Sequence, residues 1–276
     1  MEIDIKLFRN RLQNQKYSKR SISSYLTCMQ LFLTGFKKYE AEAITIELIK
    51  RHVNWLIEEK QISKSYQKQI LASIQKYYDL VLNRKLDLSA IHPKNQTFNL
   101  PNCLGKADIR VMIEKTVNLK HKTIICILYS GGLRLTDLLN LTLQDIDPVN
   151  GVIHIIDVKD RKERIVMLSP VLLNLLPKYY KKYKPVHFVF EGQGGGAYSE
   201  KSVQQVVKLA AIRAGIKTQV TPYCLRHSFA VHLLDNGTDI HYVQELLGHK
   251  SMKTTRNYTH NSDVSNSNIK SPLDLL

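Results

Sequence analysis

Cysteine is scarce in this chain. Cys28, Cys103, Cys126 and Cys224 are the four present in 276 residues, widely spaced and without a C-x-x-C pair. Such spacing implies neither a zinc site nor a disulfide framework, and it fits the reduced thiols of a cytoplasmic protein. Long apolar runs are missing as well. Nothing approaches the ~20 consecutive apolar residues of a membrane span, and no basic stretch followed by an apolar one opens the chain, so a soluble protein with no membrane partner is expected. The glycine-rich segment "EGQGGGAYS" at 191–199 lacks the Lys-Ser/Thr ending of a phosphate loop and reads as a flexible connection. His227, His232, His241 and His260 have neither cysteine partners nor an i,i+4 pairing with a set of carboxylates. No metal site is expected among them.

Acidic residues are in the minority. Against 24 Asp plus Glu stand 40 Lys plus Arg, a formal net charge of +16 with a pI near 9.6. The excess is not a tail: positions 1–90 carry 16 basic and 9 acidic residues, and the remainder carries 24 and 15. Both parts are basic, as a clamp around a duplex requires, and a polyanionic partner follows, nucleic acid first.

The length suits two domains, one small and one larger. From Ser21 to Phe36 the apolar residues Ile22, Tyr25, Leu26, Met29, Leu33 and Phe36 recur at three and four, which predicts a helix. Thr45 is placed to cap a second, and a third is expected over about 65–82 with Tyr66, Ile70, Ile74, Tyr77 and Val81 inward. This half, residues 1–90, reads as a small helical bundle with basic outer faces. Polar, proline-containing sequence around 89–105, "SAIHPKNQTFNLPNCLG", breaks the periodicity, so a linker is set at 91–104.

The second domain is set at 105–260, followed by a tail at 261–276. Helices are expected at about 106–115, 122–129, 202–214, 228–235 and 239–247. "GVIHIIDVKDRKERIVML" switches to a β-branched, strand-like pattern around a charged turn, which predicts a hairpin with lysines at its tip. Gly237 and Gly248 stand just past two helix ends, where a left-handed cap favours glycine. Ser251 is placed to cap a last short helix carrying Tyr258. The fold class is therefore mainly α with a small β-hairpin or sheet: a helical bundle plus an α+β domain.

Two arginines lie in unusual contexts. Arg134, in "YSGGLRLTDLLNL", follows a Gly-Gly turn into a helix start; Arg226, in "TPYCLRHSFAVHLL", follows a proline turn at a helix entrance. A planar, permanently charged guanidinium binds phosphate bidentately. A phenol attacking a phosphodiester needs such a clamp on the non-bridging oxygens, a proton acceptor for itself and a proton donor for the leaving 5′ oxygen. Taken in order, "GLRLTDLLNL", "VKDRKER" and "TPYCLRHSFAVHLLDNGTDIHYVQELLGHKSMKTTRNYTH" closely resemble the tyrosine recombinases, the phage integrase and Xer-type site-specific family. The motifs cover the second half; the first half resembles that family's SAM-like core-binding domain more loosely.

The resemblance implies roles residue by residue. Arg134 and Arg226 match the phosphate-clamping arginines. Lys159 matches the hairpin lysine that protonates the 5′ oxygen, although Val158 and Asp160 replace the usual flanking glycines, and Lys162 is the alternative. His249 matches the histidine that hydrogen-bonds the scissile phosphate, and Tyr258 the nucleophile; Asp137 stands where the family has an acidic residue supporting the site. One position departs: the family pattern His-x-x-Arg reads here Tyr223-Cys224-Leu225-Arg226. A phenol with pKa near ~10 is a poor base at neutral pH but still hydrogen-bonds phosphate.

The implied activity is site-specific cleavage and rejoining of double-stranded DNA through a 3′-phosphotyrosine, without metal, cofactor or small-molecule substrate. The implied assembly is a homo-tetramer on two paired sites. The tail offers Ile269, Leu273, Leu275 and Leu276 after a polar tether, either for exchange between subunits or for folding back on its own domain. Two other readings share the motifs: a DNA-binding regulator that has lost turnover, favoured by Tyr223, and a type IB topoisomerase-like relaxing enzyme.

Overall fold

The computed structural model describes residues 2–37, 39–93, 103–156, 163–248 and 270–276. The chain divides into two compact units, residues 1–97 and 98–276. Mostly helical structure with one small antiparallel sheet matches the class read from the sequence.

In the first unit α1 (Glu2–Asn14), α2 (Lys19–Thr34), α3 (Ile46–Lys60) and α4 (Lys64–Val81) surround one core. The helix starts follow from their caps: Ser18, Thr45 and Ser63 each accept a backbone N–H from three residues on, satisfying a donor that the first turn leaves unpaired. α1, not anticipated from periodicity, is held by Phe8 and Leu12, both fully buried; Phe8 meets Tyr77 edge-on at 5.4 Å between centroids. Each such burial stabilises the unit by roughly 1.5–3 kcal/mol. Tyr78 donates to the Ala41 carbonyl at 2.7 Å, and burial pushes its phenol pKa up to about 12.

The second unit runs α5 (Lys106–Glu114), α6 (Leu119–Ser130), α7 (Leu135–Asn140), strands β1 (Ile146–Asp147), β2 (Val152–Ile156) and β3 (Glu163–Met167), then α8 (Pro170–Tyr183), α9 (Glu200–Ala214), α10 (Pro222–Asp235) and α11 (Ile240–Leu247). From Thr123 to Ser130 every residue of α6 is buried, as expected of a helix apolar all round, and α8, α9 and α10 pack on it. The sheet has order β1-β2-β3, antiparallel throughout, with Val152 opposite Met167 and Ile156 opposite Glu163. Ile153, Ile155 and Val166 face the core.

Three features differ from the sequence reading. The hairpin gains β1 as a third strand, and α8 occupies a segment for which no helix was expected. α10 starts at Pro222 rather than Ser228, because Thr221 caps it by accepting the Cys224 N–H and proline at the first position already has helical φ. Within the 191–199 connection Gly192 donates to the Gly196 carbonyl at 2.7 Å and Glu191 bridges Ala197, which makes a turn.

The last residues seat on their own unit. Ser271 donates to the Ser130 carbonyl at 2.9 Å, Asp274 meets the Ser169 hydroxyl, and Leu273 is buried.

Burial holds the imidazole pKa of His52, His121, His227 and His232 below the ordinary value. The unfolded chain, with histidine near ~6.5, therefore binds more protons than the folded one in mildly acid solution. This contribution to stability is complete above about pH 6.5 and is lost as pH falls below it. Urea midpoints are expected to drop between pH 7.5 and pH 5; an unchanged midpoint contradicts the assignment.

Candidate active site

Gly131 and Gly132 follow the end of α6, and the turn they make delivers Arg134 to the N-cap of α7. Gly132 has φ +57°, and a Cβ there falls inside contact distance of the buried Phe229 ring. Gly132→Ala therefore combines left-handed strain with overpacking, and is expected to cost about 2–4 kcal/mol in urea unfolding. The Arg134 backbone N–H donates to Asp137 Oδ2 at 2.9 Å, which fixes the entry into α7 from the side of the carboxylate.

Arg226 lies at the fifth position of α10, inside the helix rather than at its entrance, and is 3% exposed. Its Nη1 donates to the Gly132 carbonyl at 2.5 Å and its Nη2 to the Leu247 carbonyl at 2.6 Å. Arg134 Nη2 donates to the next carbonyl, Gly248, at 2.8 Å. α11 ends there because Gly248 takes a left-handed conformation, φ 62°, as its C-cap. The last carbonyls of a helix lack intrahelical partners and carry the negative end of its dipole, so guanidinium groups are well suited to cap them. The two arginines named from sequence thus converge on adjacent carbonyls, Leu247 and Gly248.

Sequence reasoning missed a third arginine. Arg164 on β3 donates from Nε to the Leu246 carbonyl at 3.0 Å and from Nη2 to Asp137 Oδ2 at 2.5 Å. Asp137 is 8% exposed. The available signal was strand alternation: Arg164 shares its face with the buried Val166, whereas Glu163 and Ile165 are exposed. A charged group on the inward face of a strand calls for a partner, here Asp137.

Tyr223 stands in the first turn of α10, three residues before Arg226, and is 54% exposed. Lys159, its alternative Lys162, His249 and Tyr258 lie outside the described residues, as does the short helix expected to carry Tyr258. By sequence, His249 directly follows Gly248. Among the described residues no three His, Cys, Asp or Glu side chains gather as a metal site would require. His232 is a core residue, its Nδ1 2.8 Å from the Tyr129 hydroxyl.

Residues 103–264 match the phage integrase family, and residues 5–88 match its N-terminal SAM-like domain. The protein is therefore a site-specific recombinase of the tyrosine class; the chain belongs to the phage integrase family. It is 30% identical to the integrase/recombinase y4qK of Sinorhizobium fredii, over 96% of this chain and 86% of that one. It is 29% identical to tyrosine recombinase XerD of Staphylococcus aureus, over 98% and 97%. Among solved structures, XerH site-specific recombinase bound to its palindromic difH substrate superposes with a TM-score of 0.76, over 93% of this chain and 81% of that one, at 23% identity. That likeness carries the fold.

Proposed function

We propose that the protein cleaves and rejoins double-stranded DNA at paired sites in the cytoplasm through a 3′-phosphotyrosine on Tyr258. The observation that carries this reading is the convergence of Arg134 and Arg226 at the carbonyl end of α11, one residue before His249. Guanidinium planes fixed by backbone carbonyls are pre-set for the two non-bridging oxygens of a phosphodiester, whose charge grows in the transition state.

The Tyr258 oxygen attacks phosphorus, the bond from phosphorus to the 5′ oxygen breaks, and the phenolic proton leaves to a neighbouring acceptor. Lys159, or Lys162, supplies the proton that the 5′ oxygen takes up, and His249 hydrogen-bonds the phosphate. Attack by a 5′ hydroxyl reverses the sequence and releases Tyr258, so no external energy source is needed. The basic first unit and the second unit hold the duplex mostly through phosphates. Four subunits bring two sites together, and for the tail to exchange between subunits it has to leave the seat at Ser130 and Ser169.

The exposed Tyr223, in place of a histidine, favours a second reading, a DNA-binding regulator without turnover. Incubation with nicked duplexes from DNA flanking its gene, read on a denaturing gel, separates the two. A covalent adduct supports cleavage, and tight binding without adduct supports the regulator. Relaxation of plasmids regardless of sequence indicates a topoisomerase instead.

A further inference from the structure

We infer that Arg164 is a positioning residue for strand cleavage, acting through the phosphate clamp. Its contacts close a circuit. The Leu246 carbonyl accepts from Arg164 Nε, Asp137 Oδ2 accepts from Arg164 Nη2 and also from the Arg134 backbone, and Arg134 Nη2 returns to the Gly248 carbonyl. With Arg226 on Leu247, three successive carbonyls at the end of α11 are each held by a different arginine, from β3, α10 and the α7 N-cap. The Arg164 side chain is 10% exposed, and its stem lies against Gly248, where a Cβ would come to 3.0 Å from Cδ.

Arg164 is buried for its contacts with protein groups and has no need to meet DNA. Its planar fork donates in two directions at once, to a carbonyl and to a carboxylate, which a lysine ammonium on a flexible stem cannot reproduce. Losing the fork frees the α11 end and Asp137 to shift, and with them the plane of Arg134. A misplacement of about 1 Å at a reacting centre costs on the order of 10²-fold, and groups that orient metal ligands matter about 10- to 100-fold.

The test is Arg164→Lys in the full-length protein, since it keeps the positive charge beside Asp137. The expected result is faster amide hydrogen exchange across 243–248, duplex affinity within about twofold, and adduct formation at saturating DNA slowed about 10- to 100-fold. Combined with Asp137→Asn, the slowing should not exceed that of the worse single variant, because both break one circuit. Unchanged exchange and cleavage, multiplicative slowing in the double variant, or joint loss of affinity and folding each overturns the inference. The effect on cleavage rests on the strand-transfer reading. If the unaltered protein forms no adduct while Arg164→Lys still loosens 243–248, that reading fails and the circuit stands.

Discussion

Arg226→Lys is expected to fold, to bind duplex DNA, and to lose strand cleavage by about 10²- to 10³-fold, the scale of removing one pre-set donor from a developing oxyanion. Arg226 is buried and donates through both terminal nitrogens, to Gly132 on one side and Leu247 on the other. These two contacts fix the guanidinium plane against the Gly-Gly turn that delivers Arg134 and against the end of α11. A lysine ammonium reaches one of the two carbonyls at a time and has no plane to fix. The unmet carbonyl costs about 1–3 kcal/mol of stability, so the variant should unfold at lower urea yet remain native in dilute buffer. Arg226→Ala, which leaves both carbonyls unmet, should be the less stable of the two. Stability and single-turnover cleavage measured on the same preparations separate the effects. Cleavage that declines only in proportion to the folded fraction contradicts a role in the clamp.

Tyr258→Phe carries the larger expected effect. It removes one oxygen and no charge, so duplex affinity should stay within about twofold. Covalent adduct should fall below detection, since removing a covalent nucleophile costs on the order of 10⁶-fold. Tyr223→Phe is the companion: its phenol is exposed at the first turn of α10, and an adduct that survives Tyr223→Phe but not Tyr258→Phe assigns the two tyrosines to different roles. An adduct that survives Tyr258→Phe removes the nucleophile from the account.

Much of the fold was legible because it is written in short-range chemistry. The helices capped by Thr45 and ended by Gly248 follow from a hydroxyl that satisfies an N–H and a glycine that accepts a left-handed turn. α8 was missed because Pro177 interrupts its apolar stripe. β1 was missed because two residues carry no periodicity. α10 begins before the expected 228–235 because the Thr221-Pro222 cap opens the helix ahead of that apolar run. For the site, Arg134 and Arg226 were found by motif, while Arg164 was not: its role depends on Asp137 and Leu246, 27 and 82 residues away along the chain, a relation that local spacing does not encode.

The most direct test of strand transfer is to identify the residue that carries the DNA. The protein is trapped on a nicked duplex, the DNA is digested to a short remnant, and the modified peptide is sequenced by mass spectrometry. The expected result is one nucleotide-bearing residue, Tyr258, joined through the 3′ phosphate. Attachment at Tyr223 or another residue, or linkage through a 5′ phosphate, contradicts it.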